Sequence, residues 1–261
     1  MSSAPAYAER WATINFDRRD GILQMRLHTD GGPLRWGADA VRDLQEAFGT
    51  VAADNDNRVV ILTGTGDEFN GPKGSPATFP RATPRGWDSA HWNVRRLLTN
   101  LLDIEAPVIA AINGPAWRHA ETPLLSDIVL ASETTVFSDS GHFVNGLVPG
   151  DGMQLIMPLV MGLNRARYYM LTGQEIDART ALEIGMVNEV LPADKLLPRA
   201  WELAAQLTRQ SHLVTRYTRV AFTHTIRQLL VANHGYGIML EGMACVDDAE
   251  RGGGYELPER M

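Results

Sequence analysis

The chain has one cysteine, Cys245, so it can form no intrachain disulfide, and no Cys/His spacing in it suits a structural zinc. No run approaches the roughly 20 uninterrupted apolar residues that a membrane helix requires. Met1 to Arg10 shows no apolar core of a secretory signal, so the expected compartment is cytoplasmic. Lys and Arg nowhere form a dense run. With 24 basic residues against 31 acidic ones the formal charge is -7, which argues against a nucleic-acid partner that would need a basic stripe. Several chemical motifs are also missing. Gly64-Thr65-Gly66 follows a strand-like run, but Phe69 occupies the third glycine position of a dinucleotide fingerprint, and no phosphate-loop lysine follows. Ser75 has Lys73, not glycine, two places before it, so there is no nucleophile elbow. No H-E-x-x-H occurs. The expectation is an enzyme without cofactor or metal.

What is present is ample material for a core. Hydrophobic residues make up 44% and charged residues 21% of 261 positions, the balance of a folded domain. Trp11 to Asp17 and Ile22 to His28 read as two strands around an Asp20-Gly21 turn. Ala38 to Ala53 carries apolar residues at helical spacing, and Arg58 to Thr63 is a dense β-branched run expected to be a buried strand. Asp67 to Trp87 is Gly- and Pro-rich and reads as one long irregular segment. A helix is expected over His91 to Ile104, then buried strands over Pro107 to Ile112 and Ser126 to Ala131, the latter preceded by a possible helix start at Thr122 to Leu125. A short strand follows at Thr135 to Ser138. Helices are expected over Met153 to Met161, Asn164 to Thr172 and Asp177 to Gly185, with a last strand over Met186 to Leu191. Beyond it lie helices over Lys195 to Arg209, Leu213 to Ala232 and Gly235 to Asp248, and a Gly-rich tail. Buried strands alternating with helices imply an α/β fold with parallel pairing.

Among seven histidines, His28, His91, His212, His224 and His234 read as solvated or packed residues. His119 and His142 lie in irregular segments directly after buried strands, where a scaffold presents side chains to a cleft. An imidazole with an ordinary pKa near 6.5 can accept a proton at neutral pH. Asp151, nine residues after His142 across a Gly-Pro-rich turn, is suited to bond the other ring nitrogen and stabilise the imidazolium.

The ordered segments VVILTG, PVIAAINGP, SDIVLAS, TVFSD, GLVPGDG and LTGQEIDARTALEIGMVNEVLP resemble the crotonase (enoyl-CoA hydratase/isomerase) superfamily over roughly Trp11 to Asp248. The resemblance implies a spiral ββα core, residues 1–193, and a helical C-terminal region, residues 194–261, that packs into trimers or a dimer of trimers. It also implies an oxyanion hole of two backbone N–H groups. The first falls near Gly71. The second usually follows a Gly-Gly-Gly run after Asn-Gly; here that run is missing and the position falls on His119. The usual carboxylate positions carry Thr122 and His142. With Trp36, His119, His142, Asp151 and Glu241 together, the chain is most similar to the 6-oxocamphor hydrolase, or β-diketone hydrolase, branch, which uses no CoA and cleaves a carbon–carbon bond of a cyclic β-diketone to give a keto acid.

On that resemblance His142 and Asp151 activate water, and His119 holds the oxyanion or enolate. Trp36 either orients a diketone oxygen with its indole N–H or packs in the core. Glu241 is a second acid/base, a pocket wall, or part of a solvated helix face. Two other readings stay open: a CoA-thioester enzyme using Lys73, Arg81 and Arg85 for phosphates, and a non-catalytic binding protein of the same fold. The joint gain of histidines and an aspartate in two loops argues against decay to the last.

Overall fold

The computed structural model describes residues 4–74 and 83–250, apart from the side chains of residues 248 and 249. In chain order the strands and helices are β1 (Ile14–Arg19), β2 (Ile22–Leu27), β3 (Leu34–Arg35), α1 (Ala38–Ala53), β4 (Val59–Thr63), β5 (Asn70–Gly71), α2 (Pro84–Asp103), β6 (Val108–Ile112), α3 (Glu121–Leu124), β7 (Ile128–Ser132), β8 (Val136–Phe137), α4 (Met153–Met161), α5 (Leu163–Thr172), β9 (Ile176–Asp177), α6 (Ala178–Glu183), β10 (Glu189–Leu191), α7 (Ala193–Leu207) and α8 (His212–Glu250).

One six-stranded sheet, ordered β1-β2-β4-β6-β7-β10, carries the fold. β1 and β2 form an antiparallel hairpin, and the remaining neighbours are parallel. The hairpin turns on Asp20 and Gly21, both at positive φ, the geometry that matches a turn to twisted strands. Strand alternation divides the core in two. Leu23, Met25, Val60, Leu62, Val108, Ala110 and Ile112 face the cluster built with α1 and α2. Ile22, Val59, Ile61, Ile109, Ala111 and Leu130 face Leu196, Ala200 and Ala204 of α7. The β-branched runs are continuous because both faces of these strands are covered.

A second, smaller layer positions the functional loops. β3 pairs with β5 and β8 with β9, while Ala116 bridges Asn70 to Phe137. Asn113 locks this layer to the main sheet: its side chain accepts from the Gly64 N–H at 3.0 Å and donates to the carbonyls of Gly66 and Glu68. Gly114 is required beside it, because a Cβ there would lie 1.9 Å from the Asp67 carbonyl oxygen.

The structure revises three expectations. α2 begins at Pro84, seven residues before His91, with the Thr83 hydroxyl accepting from the Gly86 N–H and Pro84 in its first turn. The segment Asp67 to Trp87 is therefore not irregular throughout; it contains β5 and the start of α2, while residues 75–82, Arg81 among them, lie outside the described residues. The two C-terminal helices expected around Gly235 are one helix of 39 residues, α8. Gly237 persists inside it because the backbone of Gly150 and the side chain of Gln154 lie where a Cβ would be. Among the described residues, no helix is long and apolar enough to cross a membrane.

Candidate active site

The loops after β6 and β8, the turn before α4 and the middle of α8 converge on one buried cavity. Trp87, Ala90, Val94, Leu147 and Ile238 form its apolar side; Arg118, His119, Gly141, His142, Asp151 and Glu241 form the polar side. The space between these atoms is about 420 Å³, part of it open to solvent. An apolar wall facing a few convergent polar groups is the usual form of a small-molecule site.

The polar side is a chain of imidazoles and carboxylates. Asp151 Oδ2 lies 2.8 Å from His119 Nδ1 and 3.3 Å from His142 Nε2. Glu121 Oε1 stands 3.2 Å from the same His119 nitrogen. Asp139 Oδ1 stands 2.5 Å from His142 Nδ1, and Glu241 Oε1 lies 3.7 Å from His142 Nε2. The two imidazole rings meet edge to face with centroids 5.5 Å apart, and Trp36 stacks on His119 at 4.2 Å, 18° from parallel. Trp36, His119, Glu121, His142, Asp151 and Glu241 are buried, and the side chain of Asp139 is 6% exposed.

His119 has φ +48, a left-handed conformation that costs an ordinary residue energy and that glycine adopts freely. It is held there although it carries an imidazole, at the position where the resemblance places an oxyanion donor. Outliers of this kind concentrate at functional sites.

Charge governs the protonation of the cluster. Burial alone would lower the His119 pKa, but the charges of Asp151 and then Glu121 outweigh it and raise it to about 9. Burial opposes, and Asp139 and Asp151 outweigh, in the same way at His142, which is held well above 6.5. Asp151 is held well below the carboxylate range, because the two imidazoles overcome its own burial. Glu241 moves the other way: burial, reinforced by the charge of Asp151, pushes it up to about 8. Burial likewise raises Glu121. The surrounding carboxylates thus favour the protonated form of both imidazoles, and burial favours the neutral form of Glu241. This replaces the expectation of an imidazole left near its ordinary pKa.

Several buried atoms in the cluster have no hydrogen-bond partner among the described residues: Trp36 Nε1, Glu121 Oε2, Asp139 Oδ2, Asp151 Oδ1 and Glu241 Oε2. Buried polar atoms are normally satisfied, so such a concentration points to groups that meet a ligand. The three donors His119, His142 and Asp151 also lie within 4.8 Å of one another, close enough to hold a metal ion.

The structure thus brings together His119, His142, Asp151 and Glu241, with Trp36 behind His119. It does not bring Gly71 to the cavity. Gly71 lies in β5, where its carbonyl accepts from the Trp36 N–H at 2.8 Å. The sequence reading missed Asp139, Glu121 and His234. Asp139, not Asp151, holds Nδ1 of His142, and Asp151 has its shorter contact with His119. The only available signal was spacing: Asp139 stands three residues before His142 and Glu121 two after His119. His234, grouped with solvated or packed histidines, is completely buried, and its Nε2 lies 2.6 Å from the Asp151 carbonyl oxygen. Of the basic residues considered for CoA phosphates, Arg81 lies outside the described residues. Lys73 pairs with Glu175 and lies over the Trp117 ring, and Arg85 is exposed on α2.

A largely parallel sheet flanked by helices, a second strand layer and a buried cluster of imidazoles and carboxylates against a long C-terminal helix define a crotonase-fold enzyme. The chain belongs to the enoyl-CoA hydratase/isomerase family, whose model matches residues 18–252. A β-diketone hydrolase from the cyanobacterium Anabaena, solved bound to (S)-3-oxocyclohexyl acetic acid, is similar at 44% identity and a TM-score of 0.90, over 93% of this chain and 98% of that one. A probable enoyl-CoA hydratase from Mycobacterium bovis is 32% identical over 199 residues, 72% of this chain and 69% of its own length. An enoyl-CoA hydratase/isomerase from Mycobacterium paratuberculosis, at 24% identity, shares the fold with a TM-score of 0.81 over 90% of this chain and 94% of its own.

Proposed function

We propose that this enzyme hydrolyses a carbon–carbon bond of a cyclic or bicyclic β-diketone, a retro-Claisen cleavage giving a keto acid. The observation that carries the reading is the His119–Asp151–His142 bridge, with Asp139 behind one imidazole and Trp36 stacked on the other. The ligand of the Anabaena hydrolase fits the same chemistry. A ring ketone bearing an acetic acid arm is what results when water opens a bicyclic 1,3-diketone at the bond between one carbonyl carbon and the bridgehead carbon between the two carbonyls.

Water must add its oxygen to one carbonyl carbon, and its proton must reach the carbon that leaves as an enolate. His142 Nε2 accepts the water proton, and Asp139 on Nδ1 stabilises the resulting imidazolium. The base works only in the fraction of molecules in which Nε2 is unprotonated, which the neighbouring carboxylates make small near neutrality. His119, a cation beside the Trp36 N–H, holds the second carbonyl oxygen as negative charge develops on it; one such donor contributes about 2.7–4 kcal/mol. Glu241, neutral and buried, supplies a proton to the enolate carbon, and the proton taken from water by His142 then returns to Glu241, 3.7 Å from Nε2, so both groups are regenerated. No CoA or other cofactor takes part. The exposed apolar residues of α5 and α8, Leu163, Leu171, Phe222 and Met243 among them, suit the trimeric packing that the family resemblance implies, and a cytoplasmic location suits a chain of this composition.

A panel of cyclic and bicyclic β-diketones, followed by loss of enol absorbance and by product mass without added CoA, tests the reading. Ring opening with gain of one water supports it. Turnover of acyl-CoA thioesters with no diketone cleaved would sink it.

A further inference from the structure

The carboxylate of Asp151 serves two imidazoles through one oxygen, at 2.8 Å and 3.3 Å, so its placement must be held to a fraction of an ångström. Its own neighbours cannot do this by packing. Asp151 is flanked by Gly150 and Gly152, and Gly152 sits at φ +138. Two side chains hold the turn instead. Gln154 donates to the Gly150 carbonyl at 2.8 Å and accepts from the Gly152 N–H at 3.0 Å. The peptide of Asp151 itself is reached from 83 residues away, where His234 Nε2 lies 2.6 Å from its carbonyl oxygen. The backbones close behind this contact: a Cβ on Gly150 would lie 2.1 Å from the Gly237 carbonyl oxygen.

We propose that His234 is a positioning residue, which pins the Asp151 peptide to α8 so that a single carboxylate oxygen reaches both His119 and His142. His234 is wholly buried, and burial lowers its pKa, so it serves as a neutral N–H donor toward a carbonyl. Its Nδ1 has no partner among the described residues. An unsatisfied buried nitrogen is costly, and packing alone would be served better by leucine. Retaining an imidazole here is explained by what its other nitrogen holds. Because α8 also carries Glu241, the same contact sets the distance between the acid and the bridge.

This inference rests on the reading of Asp151 as part of the active site, and two variants test it. His234→Leu fills the space without a donor. His234→Gln keeps an N–H at a similar reach from the backbone. In His234→Leu, kcat on a cleaved diketone is expected to fall about 10²-fold, the loss typical of a reacting group displaced by about 1 Å, with KM changing little. His234→Gln is expected to recover most of kcat. A purely structural role predicts that both variants lose activity in step with their melting temperature, and that result would overturn the proposal, as would a His234→Leu enzyme with unchanged kcat. Histidine-labelled NMR of the substrate-free protein separates this inference from the reaction assignment. The His119 and His142 imidazole signals should move in His234→Leu and return in His234→Gln, even if no diketone is cleaved; signals that stay in place in both would refute it.

Discussion

His119 Nδ1 lies 2.8 Å from Asp151 Oδ2, closer than His142 Nε2 does at 3.3 Å. The carboxylate is thus shared between the imidazole assigned to the oxyanion and the imidazole assigned to water, and Asp139 is the private partner of His142. Removing either carboxylate should therefore have different consequences. Asp151→Asn disturbs both imidazoles and is expected to lower kcat by about 10²–10⁴-fold, the range for loss of positioned acid–base function. It should also destabilise the fold, since it leaves two buried cations with less compensation. Asp139→Asn should act on the water-activating side alone, leaving KM nearly unchanged. Steady-state kinetics on both variants decides this; equal losses in kcat and KM for the two would contradict the division of labour.

The pKa shifts set the direction of the pH response. His142 must be unprotonated to act as a base, and its neighbours hold it well above 6.5. kcat/KM should accordingly keep rising with pH beyond 6.5, where an ordinary imidazole would already have levelled off. Asp139 is the charge that raises His142 most, so Asp139→Asn should move this limb to lower pH. A limb centred near the ordinary histidine value in the unaltered enzyme would contradict the assignment.

Stability follows the same linkage. A histidine raised in the folded state contributes stability that is fully present below 6.5; for His119 it is lost as pH rises through about 9. Glu241, raised from 4.5 to about 8, has the same sign of slope: between those values the folded chain keeps a proton that the unfolded chain releases, so stability falls as pH rises. Glu241→Gln removes that slope and should raise stability by a few kcal/mol at pH 8 and above. Thermal melts across the range test it. A variant whose melting temperature parallels that of the unaltered protein at every pH would show that Glu241 is not a buried neutral acid.

Trp36 tests whether the unsatisfied groups await a substrate. Its indole N–H is buried without a partner among the described residues, while its ring stacks on His119. Trp36→Phe keeps an aromatic face and deletes the N–H. Losing a hydrogen bond to a developing charge should cost about 1.5–3 kcal/mol of transition-state stabilisation. Stability should hold or improve, because an unsatisfied donor disappears with the ring nitrogen. Lower kcat/KM together with an unchanged or higher melting temperature is the expected signature. Full activity would assign Trp36 to core packing alone.

Much of this architecture was legible from the residues. α1 spans the same Ala38 to Ala53 read from periodicity, and the buried strands follow the β-branched runs because both of their faces are covered. His119 and His142 stood out because each follows a strand in an irregular segment. What escaped depended on distant contacts. The start of α2 lay in a Thr83-Pro84 cap at the end of a Gly- and Pro-rich stretch, where turn residues mask a helix signal. The break expected between Ala232 and Gly235 does not occur, because α8 runs on through Gly237, which packs against the Gly150 turn. His234 carries no local mark of its role, since a partner brought in across 83 residues has no spacing rule, and Asp139 showed only its place three residues before His142.

Gly242 offers a test of how the apolar wall of the cavity is set. A Cβ at this position would lie 2.3 Å from Trp87 Nε1 and 2.6 Å from two further atoms of the indole. Only glycine lets the ring lie flat on α8, where its N–H donates to the Ile238 carbonyl at 3.0 Å. Gly242→Ala gains up to about 1 kcal/mol of helix propensity, but it must push the indole off this seat and into the space it lines. KM for the diketone should rise several-fold, with kcat changing less. The effect should vanish in a Trp87→Ala background, where no ring remains to be moved. The double-mutant cycle is therefore expected to show strong coupling between the two positions. Purely additive losses would mean that alanine at 242 acts through α8 itself, and that Trp87 is not held by the glycine beneath it.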